Sequence, residues 1–148
     1  MVAETDSGFA QRYNMAIGVL LSVLITNILF LILPTGFFFM GDIILVIGGC
    51  IGLYFTFRYL NESQSHIKTG IIVGLTSSIL SLLSIGFFDW IFYLIPIYGV
   101  DVILLLNYLL FLLLNFAIMY VLVGIILGYL FGRYYRKKEN VGKKAPLF

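Results

Sequence analysis

The chain has 148 residues, 61% of them hydrophobic and 11% charged, with a mean hydropathy of +1.09. An average soluble domain holds about 45–50% apolar and about 25% charged residues, so this composition excludes a water-soluble globular protein and makes a bilayer the solvent. The net charge of +2 conceals an asymmetry: residues 133–148 carry six of the nine basic residues and a single acid, Glu139.

In chain order, the first 12 residues set Glu4 and Asp6 against Arg12. The apolar run after them is longer than the roughly 7–15 residues of a signal-peptide core, and no small-x-small cleavage site follows. The first span is therefore expected to be retained. It runs over about 13–33 and stops at Pro34. An unpaired backbone polar group in lipid costs several kcal/mol, so a run this long and apolar reads as helix. Pro34-Thr35-Gly36 makes an outer turn, and Phe37 to Met40 lie at the interface. Asp42 reads as the N-cap of span two, 43–60, with Arg58 reaching back to the opposite headgroups.

The polar loop Asn61 to His66 leads to span three, 67–88. Asp89–Asp101 (DWIFYLIPIYGVD) is apolar but too short to cross, carries Pro96 and Gly99, and is rich in aromatics. It reads as an interfacial or shallow re-entrant segment. Span four, 102–131, is about 45 Å of helix against a hydrocarbon core of about 30 Å. It must tilt, project, or break near Asn115. Three spans after Ile67 instead of two would bury Asp101 and place Arg133, Arg136, Lys137 and Lys138 outside.

With four spans, Arg12, the Arg58/Lys68 loop and the 133–148 tail share the cytoplasmic side, while Asp42, Asp89 and Asp101 share the outer one. That arrangement satisfies the positive-inside rule. The expected fold is all-α: a single polytopic membrane domain of four transmembrane helices, in the cytoplasmic membrane, with both termini cytoplasmic. The basic tail then lies against anionic lipid headgroups rather than nucleic acid.

The glycine-rich second span (IGGCIG), the third span opening KTGIIVGLTSS and the last span ending VGIILGYLFGRYYRKK are similar to those of small four-span prokaryotic, particularly archaeal, membrane proteins of unknown function. The resemblance covers about two-thirds of the chain. It implies a fold class and no chemistry.

Small residues recur at helical intervals: Gly48 and Gly52 in span two, Gly70 and Gly74 in span three with Ser77, Ser78, Ser81 and Ser84, and Gly124, Gly128 and Gly132 in span four. Such stripes let helix backbones approach closely. They serve either internal packing, the better reading for the neighbouring spans two and three, or contact with a partner or second copy. For span four the two readings are balanced. Asn27, Asn107 and Asn115 lie in or near apolar spans. With Ser22, Thr26 and Tyr108 they either line a polar path or, the plainer reading, hydrogen-bond between helices.

Other chemistry is thinly represented. His66 stands in a polar loop and Cys50 in mid-span, too few and too far apart in depth for a metal site. Cys50 reads as a packing residue. The three outer aspartates read as caps and topology signals before a weak cation site, and no hydroxyl has a base beside it. No cofactor is implied. The leading expectation is a non-enzymatic structural or accessory membrane protein that associates laterally with a membrane-protein partner or itself. The alternative is a small homo-oligomeric channel or carrier lined by the asparagines.

Overall fold

The computed structural model describes residues 13–32, 40–60 and 65–142, and within them the chain is helical with no strand. Five α-helices follow in order: α1 (Asn14–Ile32), α2 (Met40–Arg58), α3 (His66–Asp89), α4 (Ile95–Tyr98) and α5 (Val102–Gly142), with a π-helical turn, Trp90–Leu94, joining α3 to α4. The expected outer turn at Pro34 lies outside the described residues. Backbone helix begins at Met40, which places Asp42 within the first turn of α2 instead of at its N-cap.

Three helical segments are long and apolar enough to cross a membrane: Asn14–Ile32, His66–Tyr98 and Val102–Glu139. Ile43–Arg58 is a shorter apolar helix. Of the two readings of Asp89–Asp101, the re-entrant one is corrected: up to Tyr98 the segment continues α3 and does not dip in and return. α3, the π turn and α4 form one helical rod of 33 residues. A proline inside a helix removes one N–H and crowds the carbonyl four residues back. Here Pro96 opens the α4 turn directly after the π turn, where the wider winding accommodates it. The reversal comes at Gly99, whose φ of 79° is the only positive one among the described residues and suits a residue without Cβ. Asp101 then starts α5: its Oδ1 accepts the backbone N–H of Ile103 at 2.8 Å and of Leu104 at 3.2 Å. α5 is unbroken through Asn115 and runs past residue 131 to Gly142, so much of the expected basic tail is helix.

The bundle is two antiparallel pairs. α3 and α5 form the broadest contact, α1 and α2 the next, and α3 also touches α1 and α2. Along the α3/α5 seam Gly70 faces Gly128 and Gly74 faces Gly124, each with the other's carbonyl against its Cα. Each turn up α3 thus meets one turn down α5. One turn further, a Cβ at Gly132 would lie 2.7 Å from the His66 carbonyl oxygen. Along the α1/α2 seam Gly52 faces Gly18 and Ser22, and Gly48 faces Ser22 and Thr26. Close backbone approach of this kind gains dispersion and weak Cα–H···O contacts.

Among the described residues the interior carries nine polar side chains against eight apolar ones. Ser22, Thr26, Thr56, Ser77, Ser78 and Ser81 are buried, whereas Leu20, Ile32, Leu114 and Ile118 are about 70% exposed. Three of these hydroxyls bond back to their own helices: Thr56 Oγ1 donates to Gly52 O (3.0 Å), and Ser77 and Ser78 both donate to Gly74 O (3.1 and 2.9 Å). A small apolar core of Leu53, Phe57 and Val73 joins the pairs, flanked by Met15 and Val19 of α1 and Leu127, Phe131 and Tyr135 of α5.

Candidate functional site

The last turn of α2, the first turn of α3 and the extended end of α5 meet at one end of the bundle. Phe57 organises the junction. Its ring lies nearly parallel to Tyr135 (centroids 4.9 Å apart, 10° between planes) and to His66 (6.2 Å, 11°). One turn beyond Tyr135 on the same helix face, Glu139 Oε2 lies 3.2 Å from His66 Nε2. Helical spacing produces this: positions 135, 138 and 139 share a face, which requires α5 to continue beyond the apolar run.

The result is an open cavity of about 610 Å³ lined by Tyr54, Phe57, Arg58, Leu60, His66, Tyr135, Lys138 and Glu139. The guanidinium of Arg58 sits 5.9 Å from the Tyr59 ring centroid, a cation–π distance. An apolar cavity of about 290 Å³, lined by Leu130, Phe131, Tyr134 and Tyr135, adjoins it at Tyr135. His66, read from sequence as a lone loop residue, is the first residue of α3 and is paired. The signal that could have located the site is YYRKKE at residues 134–139, which presents an aromatic, a cation and an acid on one helical stripe. Read as a tail, it showed only charge.

The residues singled out from sequence are placed as follows. Gly48, Gly52, Gly70, Gly74, Gly124, Gly128 and Gly132 all face backbone or side chains of this same chain. The internal partners differ from chain order: span two's glycines meet α1 and span three's meet α5. Ser81 is buried beside a central cavity of about 10 Å³ that it shares with Ser22, Ser77 and Ser78. Asn27 is buried on α1 and donates to Val23 O at 2.7 Å. Asn107 and Asn115 are exposed on α5, Asn115 donating to Phe111 O at 2.8 Å. α1 and α5 have at most marginal contact, so the three asparagines do not converge, and two of them bond their own helix rather than a neighbour. The interhelical amide is Asn14, at the start of α1, whose Nδ2 donates to Thr56 O at 3.3 Å.

At the opposite end, Tyr108 Oη donates to Asp89 Oδ2 at 3.0 Å, and Asp101 caps α5. Among the described residues no group of three His, Cys, Asp or Glu side chains comes together.

These features define a class: an all-helical protein with helices long and apolar enough to span a membrane and a basic groove at one end. Comparison with protein-family models, curated proteins and solved structures returns no match to this chain.

Proposed function

We propose that this chain is a non-enzymatic, four-span protein of the cytoplasmic membrane, both ends cytoplasmic, that serves as a structural or accessory subunit by lateral association. What supports insertion is the inverted distribution of polarity, hydroxyls inside and Leu and Ile outside. What supports the orientation is that Arg58, Lys68, Arg133, Arg136, Lys137 and Lys138 gather at the end where α3 begins, while Asp89 and Asp101 lie at the other.

The glycine stripes are engaged within the chain, so they are not the contact surface of this proposal. The surface is the outward face of α5. Only 6% of the most apolar stretch of α5 is buried, and Asn115 stands on its outward face among Phe111, Leu114, Ile118 and Met119, all exposed. This amide carries the reading. One N–H returns to Phe111, and the rest faces outward, where lipid offers no partner. A helix of another subunit, or the same face of a second copy, supplies one; amides bridge membrane helices in this way.

Asn115→Leu is expected to dissociate the native complex in mild detergent while leaving the monomer folded. Interhelical amide bonds in membranes are worth about 0.6–2 kcal/mol, so a loss of roughly threefold to thirtyfold in association is expected. Native mass spectrometry of wild type and variant reads it out directly. An unchanged particle mass across a dilution series removes Asn115 from any such contact.

A further inference from the structure

Three properties of the basic groove coincide with those of an anionic phospholipid. Its walls carry cations from two helices, Arg58 on α2 and Lys138 on α5. Among the described residues the one acid in the wall, Glu139, is already engaged by His66.

The third property is order along α5. Leu130, Phe131 and Tyr134 line the apolar cavity, Tyr135 belongs to both cavities, and Lys138 follows one turn on. Apolar, aromatic and cationic groups therefore succeed one another from the bundle outward, as acyl chain, interface and headgroup do in a leaflet. A free phosphate or nucleotide has no use for the apolar trough. Basic pockets between membrane helices at the cytoplasmic side are suited to phosphate headgroups.

We propose that this groove holds one anionic glycerophospholipid, its phosphate between Arg58 and Lys138 and an acyl chain against Leu130, Phe131 and Tyr134. The proposal rests on the membrane-spanning reading and is independent of the Asn115 contact. The bound lipid ties the end of α2 to the extension of α5 and makes the arrangement of that end responsive to leaflet composition.

The test uses the full chain in mild detergent with equal amounts of phosphatidylglycerol and phosphatidylcholine, read by native mass spectrometry. Wild type is expected to retain one phosphatidylglycerol preferentially. Arg58→Gln with Lys138→Gln is expected to weaken that preference by about tenfold or more, each basic residue near an anionic surface being worth about 1 kcal/mol. Arg136→Gln with Lys137→Gln removes the same charge outside the groove and is expected to leave it intact. Equal losses in both double variants, or none in the first, overturn the site. Displacement of the lipid by millimolar inorganic phosphate also overturns it, because the ligand is then phosphate alone. Alkaline extraction of the same membranes separates the two readings: a chain retained in the pellet without lipid preference refutes only the groove, and a chain released refutes the membrane-spanning reading as well.

Discussion

Gly128→Leu is expected to leave little folded protein, whereas Gly49→Ala is expected to be tolerated. The difference lies in what a new side chain meets. A Cβ at 128 lies inside contact distance of the carbonyl of Gly70 and close to the backbone nitrogen of Ile71. Those atoms belong to a helix backbone and cannot rotate away. α3 and α5 would have to separate along the seam, losing the paired approach of Gly74 with Gly124 as well. Overpacking costs about 1–3 kcal/mol where side chains can shift, and more is expected here. At Gly49 the nearest atom to a new Cβ is Leu127 Cδ1 at 3.5 Å, an ordinary contact, and alanine regains about 1 kcal/mol of helix propensity. Trp90, the single tryptophan, is buried at the far end of the α3 rod, so its emission during denaturant titration follows this pair. A Gly128→Leu midpoint equal to wild type would show that the seam is not closed as described.

Gly52→Leu is expected to release α1 from α2 while leaving the α3/α5 pair together. Position 52 meets the Gly18 carbonyl and the backbone and Cβ of Ser22, so a leucine acts on one seam only. Spin-label distances in a Cys50→Ala background distinguish the pairs. Labels at Ala16→Cys and Tyr54→Cys should give a broadened, longer distribution in the variant. Labels at Phe87→Cys and Leu110→Cys should keep the wild-type distance. A wild-type distance from the first pair contradicts the α1/α2 assignment, and a change in both pairs shows that the seams are not separable.

The helices and their apolar character were legible because length and hydropathy decide both. The partners of the glycines were not. A stripe states that a helix face is thin, and nothing in it names the facing helix. The short loop between spans two and three suggested that they pack on each other, yet each found its thin partner elsewhere. α1 does not show as a stripe in sequence, because only one of Asn14, Gly18, Ser22 and Thr26 is glycine. Buried against Gly48 and Gly52, the serine and threonine do the same work.

Pro96 and Gly99 both fall in a segment that reads as too short to cross, and either residue can break a helix. Gly99 does, whereas Pro96 is absorbed by the π turn before it. The asparagines illustrate a further limit: an amide in an apolar run is visible in sequence, but the side of the helix on which it emerges depends on packing. The groove was hidden for a related reason. From sequence, Arg133 to Glu139 reads as a basic tail against the headgroups, although Arg, Lys and Glu all continue a helix readily, and only that continuation carries Glu139 back to His66.

The most direct test of the four-span, both-ends-cytoplasmic arrangement is single-cysteine accessibility in intact cells, again with Cys50 replaced by alanine. Val100→Cys, at the exposed reversal between α4 and α5, should react with a membrane-impermeant maleimide from outside. Lys68→Cys and Lys138→Cys, both exposed at the basic end, should react only after the membrane is opened. Labelling of Lys138→Cys in intact cells, or of Val100→Cys and Lys138→Cys from the same side, would contradict it.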